Sequence, residues 1–183
     1  MNLPNKITIA RVVLIPIFLA VYLLKPLGEI PNEWLALNLF VAAAATDFLD
    51  GYLARKMGLV TNFGKLMDPL ADKLLVCAAF IAFTATGSLP AWATIILISR
   101  EFYISGLRQL ALEQKIVLAA STSAKLKTII QITLVIYLLL PFPFTIFFWQ
   151  PIAYALIFAA TIISVYSAAE YTVKNKAIFG GKT

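Results

Sequence analysis

Long apolar segments separated by short polar or proline-containing connections make up most of the chain. A helix needs about 20 residues to cross a bilayer, and most of these segments have roughly that length. The segment from Thr128 to Ala169 contains no charged residue and is too long for one span, but Pro141, Pro143 and Pro151 divide it. The pattern therefore predicts six helices: Thr8–Leu24, Glu33–Met57, Phe63–Thr86, Ala91–Leu112, a fifth beginning near Ser121, and Gln150–Tyr171.

The composition indicates that these helices lie in a membrane. Hydrophobic residues make up 61% and charged residues 13% of the 183 residues, and the mean hydropathy is +0.89. A soluble domain of this length could not bury so much apolar surface. We expect an all-α membrane protein with six transmembrane helices in a single domain, residues 1–183. A short interfacial segment, Met1 to Lys6, is expected before the first helix, and no cleavable signal peptide is evident.

The positions of the basic residues predict the orientation. With six spans both termini lie on one side, and the connections on the other side carry only Lys25. Lys and Arg concentrate on the cytoplasmic side of membrane proteins, so we expect cytoplasmic termini and a place in the cell membrane. Trp34, Trp92 and Trp149 fall at the opposite boundary, as an aromatic belt requires. The net charge of +6 does not indicate nucleic acid, because the basic residues are spread between apolar segments. Those on the shared side are Lys6, Arg55, Lys56, Lys65, Arg108, Lys115, Lys125, Lys127, Lys174, Lys176 and Lys182.

Four aspartates interrupt the apolar pattern. Asp47 and Asp50 lie near the end of the second predicted helix, and Asp68 and Asp72 near the start of the third. Helical spacing places each pair on one face, and the short turn between the helices allows the two faces to converge. Such residues could also be helix caps or surface ion-pair partners. Each buried carboxylate costs roughly 2.5–3.5 kcal/mol in a membrane, however, so four together need compensation by cations.

The sequence offers only oxygen ligands for such a cation. It contains no histidine, and its single cysteine, Cys77, lies in an apolar run. Mg²⁺ or Mn²⁺ suits carboxylates and commonly binds phosphates, whereas zinc, copper and iron–sulfur sites are poorly supported. Gly51, Ala54 and Gly64 share the acidic faces and leave room for a bulky ligand, and Arg55 suits phosphate oxygens. The local chemistry predicts phosphoryl transfer.

The same residues carry a resemblance to a known family. The arrangement Asp47-x-x-Asp50-Gly51-x-x-Ala54-Arg55-x₈-Gly64-x-x-x-Asp68-x-x-x-Asp72 resembles the signature of the CDP-alcohol phosphotransferases at every fixed position. Further similarity to the bacterial members that use glycerol 3-phosphate covers nearly the whole chain. It includes Asn2–Arg11, Arg100–Arg108 and Lys125–Thr128, with a departure at Ala124, where similar enzymes often have glycine.

The resemblance implies an activity and a set of roles. The reaction would transfer the phosphatidyl group from CDP-diacylglycerol to sn-glycerol 3-phosphate, giving phosphatidylglycerophosphate and CMP. Asp47, Asp50, Asp68 and Asp72 would hold two divalent ions, with Asp72 also the general base that accepts the proton of the acceptor hydroxyl. The family also implies a homodimer. The residues expected to contact CDP-diacylglycerol are Asn5, Thr8, Gly51, Ala54, Arg55, Thr61 and Gly64.

The acceptor is a dianion, so a basic pocket separate from the carboxylates is needed. Arg100 lies in the middle of a predicted helix, where an isolated charge requires a reason. Arg108 follows about two turns nearer the cytoplasm, and Lys125 opens the next helix at a similar depth. We expect these three residues to bind the acceptor phosphate. Alternatively, Arg100 pairs with Glu101 or an aspartate, and the lysine only sets the topology.

Two other functions stay open on the sequence. A member of the same family could use another acceptor, such as phosphatidylglycerol, inositol phosphate or serine. A cation-coupled transporter could also carry acidic residues inside the membrane. A transporter would place them near the midplane with access from both sides, whereas these aspartates cluster near one end of their helices. The pattern therefore favours the enzyme.

Overall fold

The computed structural model describes the backbone of residues 3–24, 32–57, 62–114, 122–140 and 146–176, and the side chains of 9–24, 32–46, 73–114, 122–140 and 149–176. Within these ranges the chain forms six α-helices and no β-strand. The helices are α1 (Leu3–Leu24), α2 (Asn32–Met57), α3 (Asn62–Ala85), α4 (Ala91–Glu113), α5 (Thr122–Leu139) and α6 (Ile146–Lys174).

The predicted helices are confirmed in order, with two differences at their ends. Residues 3–6 form the first turn of α1, so most of the expected interfacial segment is continuous with that helix. The expectation that Pro151 divides the last apolar segment is wrong, because α6 begins at Ile146 and contains Pro151. Close to a helix start, proline removes only one backbone hydrogen bond, which a long helix tolerates. The long apolar segment is instead divided before Pro151, since α5 ends at Leu139 and α6 begins at Ile146.

The outer faces of the helices are apolar, as a lipid environment requires. Leu24 is 75% exposed, Leu112 72% and Ile162 66%. Exposed apolar side chains on this scale are stable in lipid, where each helix satisfies its own backbone hydrogen bonds. Among the residues whose side chains are described, two helical stretches are long and apolar enough to cross a membrane, Thr122–Leu139 and Trp149–Lys174. The described parts of α1 and α3 add shorter apolar stretches, Ile9–Leu24 and Lys73–Ala85.

Helices α1, α2 and α3 form one packed unit, in which α1 contacts both of the others. Aromatic rings fill its core: the Phe18 ring lies 6.2 Å from that of Tyr22 and 6.1 Å from that of Phe40. The Phe83 ring meets the Tyr22 ring edge-on at 5.5 Å. The Tyr22 hydroxyl lies 3.3 Å from that of Thr86, so the buried phenol has a hydrogen-bond partner. One end of this unit is therefore a packed aromatic core.

Helices α4 and α6, with α5 as far as Tyr137, form a second unit. Helices α4 and α6 pack directly against each other, with Ile104, Leu107 and Tyr171 buried together. The Tyr137 ring stacks on the Trp149 ring at a centroid distance of 3.8 Å. Polar contacts, described below, join α5 to the other two helices. This unit therefore combines an apolar core with a buried polar cluster.

Candidate functional site

The core of the first unit becomes polar at the end opposite its aromatic rings. On α1 the buried positions are Arg11, Ile15, Phe18 and Tyr22, which recur every three or four residues and define one face. Arg11 is 0% exposed, and its Nε donates to the Thr46 hydroxyl at 3.5 Å. A buried guanidinium requires polar surroundings. The first unit therefore has a charged end, where α1 meets the part of α2 that precedes Asp47.

The aspartates occupy the continuation of the buried faces of α2 and α3. Asp47 and Asp50 fall in the second half of α2, and Asp68 and Asp72 in the first half of α3. The two helices pack against each other and against α1. Side chains at 47–72 lie outside the described ones, but the backbone register is set. The face of α2 runs through positions 36, 40, 43, 47 and 50, and that of α3 through 68, 72, 75, 79 and 82.

The residues expected to contact CDP-diacylglycerol fall in the same part of the chain. Gly51, Ala54 and Arg55 lie on the last turns of α2, and Gly64 in the first turn of α3. Asn5 and Thr8 lie in the first turns of α1. The side chains of all these residues are outside the described ones, and Thr61 lies outside the described backbone as well. The structure thus places six of these positions on the three helices of the first unit.

In the second unit, two cationic side chains meet at one buried carboxylate. Glu101 on α4 is 8% exposed, and Lys127 on α5 is 5% exposed. The Lys127 ammonium donates to Glu101 Oε1, and Arg100 Nη1 lies 3.5 Å from the same oxygen. One carboxylate therefore pairs with cations from two helices. The alternative that Arg100 pairs with Glu101 is the arrangement the structure contains.

Arg100 also contacts α6. Its Nε and Nη2 donate to the Ser167 hydroxyl at 3.2 and 2.9 Å. The side chain is 9% exposed and forms part of the wall of an open groove of about 440 Å³ between α4 and α6. The groove is mostly apolar, and the Tyr103 hydroxyl, 2.9 Å from that of Thr172, lies along it. The guanidinium is thus fixed by two helices.

The other two residues expected to bind the acceptor phosphate are exposed. Arg108 lies two turns after Arg100 on α4, and Lys125 lies in the first turn of α5. Lys125 and Lys127 are two residues apart and therefore project about 200° apart around the helix. Only Lys127 faces Glu101. The structure brings Arg100 together with Lys127, a residue that the sequence pattern had assigned to the cytoplasmic boundary.

Sequence reasoning missed a polar stripe inside the second unit. Gln131 on α5 donates to the Ser164 hydroxyl at 3.4 Å, and Ser123 donates to the Glu170 carboxylate. The signal was present as spacing. Polar residues recur every fourth position on α5 and every third on α6, in otherwise apolar helices. They are Ser123, Lys127 and Gln131 on α5, and Thr161, Ser164, Ser167 and Glu170 on α6.

Comparison with known proteins decides the family. The family model for CDP-alcohol phosphatidyltransferase matches residues 1–166. The chain belongs to the CDP-alcohol phosphatidyltransferase family. Among curated relatives it is 45% identical to the CDP-diacylglycerol–glycerol-3-phosphate 3-phosphatidyltransferase of Bacillus subtilis, over 95% of each chain. The protein of the same name from Pseudomonas fluorescens is 39% identical, over 93% of this chain and 88% of its own length. The one from Rickettsia bellii is 45% identical, over 71% of this chain and 70% of its own length.

CDP-alcohol phosphatidyltransferases generally depend on a divalent metal, and the residues of this chain suit one. Among the described side chains, no group of three or more histidine, cysteine or acidic residues could hold a metal ion. The aspartates at 47, 50, 68 and 72 lie on two helices that pack together, and they offer oxygen ligands only. Such a donor set fits Mg²⁺ or Mn²⁺ rather than zinc or copper.

Proposed function

We propose that this chain transfers the phosphatidyl group from CDP-diacylglycerol to sn-glycerol 3-phosphate, giving phosphatidylglycerophosphate and CMP. The observation that carries the proposal is the 45% identity over 95% of both chains to the Bacillus subtilis relative, whose name states this donor and acceptor. The named acceptor supports glycerol 3-phosphate over phosphatidylglycerol, inositol phosphate or serine. Family membership argues against a cation-coupled transporter.

The four aspartates form the catalytic centre in this proposal. Asp47, Asp50, Asp68 and Asp72 hold two divalent ions, Mg²⁺ or Mn²⁺. When bound, the ions neutralise the carboxylates and stabilise negative charge on the donor's pyrophosphate. Asp72 also accepts the proton of the acceptor hydroxyl as that oxygen attacks the phosphorus that carries diacylglycerol. The positions support these roles because they continue the buried faces of two contacting helices.

The donor's CDP group lies at the same end of the first unit in this proposal. Gly51, Ala54 and Gly64 leave space beside the aspartates because their side chains are small or absent. Arg55 binds phosphate oxygens, and Asn5, Thr8 and Thr61 provide further polar contacts. The buried Arg11 lies on the same face of α1 as the core residues and adds positive charge near the acidic segment of α2.

Arg100, Arg108 and Lys125 bind the acceptor phosphate in this proposal. Arg100 is supported by its fixed guanidinium, since Ser167 and Glu101 hold it from two sides. Arg108 and Lys125 are exposed and therefore accessible to a soluble substrate. Long exposed cations attract a dianion and bind it through charge-assisted hydrogen bonds.

The membrane topology follows the same proposal. All of residues 1–183 form one membrane-embedded domain that crosses the cell membrane six times, with both termini and the aspartates on the cytoplasmic side. The first turns of α2, α4 and α6 contain Trp34, Trp92 and Trp149, which supports an aromatic belt at the outer boundary. The enzyme acts as a homodimer surrounded by membrane lipids.

Purified protein in mixed micelles with CDP-diacylglycerol tests the activity. With Mg²⁺ and glycerol 3-phosphate we expect CMP release, and chelation of the metal should stop the reaction until Mg²⁺ or Mn²⁺ is restored. Parallel reactions with serine, inositol phosphate and phosphatidylglycerol identify the acceptor. CMP release with serine but not with glycerol 3-phosphate would refute the proposed acceptor, and ion flux without CMP release would favour a transporter.

Cysteine labelling tests the topology. In a Cys77→Ser background, which removes the single natural thiol, Lys176→Cys and Lys25→Cys each introduce one reactive site. A membrane-impermeant maleimide should label the Lys25→Cys variant in intact cells and the Lys176→Cys variant only in inverted vesicles. Labelling of both variants from the same side would contradict an orientation with cytoplasmic termini and Lys25 on the outside.

A further inference from the structure

Glu101 is buried in α4 between two cations, yet the sequence gives it no role in the reaction. The Lys127 ammonium donates to its Oε1, and Arg100 Nη1 lies 3.5 Å from the same oxygen. The carboxylate is therefore bound closely by the lysine from α5 and shared more loosely with the arginine. A buried carboxylate in a membrane helix is costly and usually has a function beyond packing.

Arg100 is held in place by contacts that neutralise only part of its positive charge. Its Nε and Nη2 donate to Ser167, a neutral hydroxyl, at 3.2 and 2.9 Å, and its contact with Glu101 is 3.5 Å long. A guanidinium has more N–H donors than these contacts use. The Ser167 side fixes one edge of the group, and Glu101 fixes the Nη1 side. The remaining donors on Nη1 and Nη2 are suited to a phosphate, which guanidinium binds through paired hydrogen bonds.

We propose that Glu101 is a positioning residue for the acceptor. Anchored by Lys127, its carboxylate holds the Arg100 guanidinium in the orientation that binds the phosphate of glycerol 3-phosphate. This inference rests on the proposed function and deepens it. The affinity of the enzyme for glycerol 3-phosphate would depend in part on Glu101, a buried residue that does not touch the substrate. Ser167 on α6 completes the support from the opposite side.

A purely structural role predicts a different behaviour. Replacing a buried ion pair by neutral side chains of similar size is often neutral for stability, whereas removing one partner alone is strongly destabilising. If Glu101 and Lys127 only held α4 and α5 together, a neutral pair would restore both the fold and the kinetics. If Glu101 positions Arg100, a neutral pair would restore the fold alone.

The experiment compares Glu101→Gln with the double variant Glu101→Gln/Lys127→Met in detergent micelles. We expect each to raise the KM for glycerol 3-phosphate about tenfold, as loss of ground-state binding would. The KM for CDP-diacylglycerol should stay within about twofold. The double variant should have a thermal midpoint closer to wild type than the single variant. Glu113→Gln is the matched control, since Glu113 is an exposed glutamate at the end of the same helix.

Several outcomes would overturn the inference. A lower thermal midpoint with an unchanged KM for glycerol 3-phosphate in both variants would leave Glu101 a structural role only. A reduced KM would mean that its negative charge merely repels the phosphate. Should Glu101→Gln fail to fold, the double variant decides the question alone. Failure of the proposed function is distinguishable, because wild-type CMP release would then show no dependence on glycerol 3-phosphate.

Discussion

Arg11 on α1 donates from Nε to the hydroxyl of Thr46 on α2, at a distance of 3.5 Å. The Thr46 hydroxyl donates in turn to the carbonyl oxygen of Ala43 at 2.6 Å, which fixes its orientation. This contact joins a fully buried guanidinium to the residue that immediately precedes Asp47. The charged end of the first unit therefore contains a built-in cation beside the acidic segment.

Replacing Arg11 should make the protein depend on divalent metal for stability. In Arg11→Met the carboxylates lose a nearby positive charge. Bound divalent metal must then offset more of the repulsion between them. We expect the thermal midpoint to drop more without Mg²⁺ than with it, so that Mg²⁺ raises the midpoint by more than in wild type. Arg11→Lys, which retains the charge, is the control. An equal drop with and without Mg²⁺ would show that Arg11 acts through packing alone.

Asp72→Asn should abolish turnover while the donor still binds. Asparagine retains the shape and one oxygen but cannot accept the proton of the acceptor hydroxyl. Loss of a general base costs about 10²- to 10⁴-fold in rate. The measurements are CMP release and titration of CDP-diacylglycerol, with Glu113→Gln as an acidic control on α4. Turnover near the wild-type rate would remove Asp72 from the role of base.

Arg108→Ala should affect the acceptor selectively. Arg108 is exposed on α4, so its removal leaves the core intact and eliminates one charge-assisted contact. We expect the KM for glycerol 3-phosphate to rise about tenfold with little change in kcat, the behaviour of a lost ground-state contact. Lys176→Ala, an exposed cation after α6, controls for general loss of positive charge. The same KM for both variants would exclude Arg108 from the acceptor site.

The number and order of the helices follow from the sequence because apolar segments of this length have few alternatives in a membrane. The ends of the helices are less predictable. Pro141 and Pro151 look equivalent as breaks, but Pro151 lies inside α6, while α5 has already ended at Leu139. Whether a proline breaks a helix depends on which backbone donor it removes, and hence on where the helix starts.

Spacing alone predicts that the four aspartates share helix faces, and their positions on α2 and α3 agree with that spacing. Their role in binding metal stays a prediction. The basic contacts of the second unit could not be predicted in this way. Lys125 and Lys127 both open α5, and only the register of α5 against α4 decides which of them faces Glu101. The partner of Arg100 on α6, Ser167, is one of two serines in that helix. Contacts between helices distant in sequence therefore carry the information that a single sequence lacks.

The packing of α1 gives the last prediction, which concerns stability. Phe18 is 1% exposed and contacts the rings of Tyr22 and Phe40, whereas its neighbour Ile17 is 44% exposed on the outer face of the same helix. Phe18→Ala leaves a cavity among aromatic side chains and should lower the free energy of unfolding by about 3–5 kcal/mol.

Ile17→Ala is the matched control for this change. It removes an apolar side chain that faces lipid or detergent, so it should change the free energy of unfolding by no more than about 0.5 kcal/mol. Denaturant titration in micelles, followed by circular dichroism, measures both variants. Equal losses in the two would mean that α1 does not pack with the Phe18 face inward. Because Arg11 lies on that same face, such a result would also contradict the contact between Arg11 and Thr46.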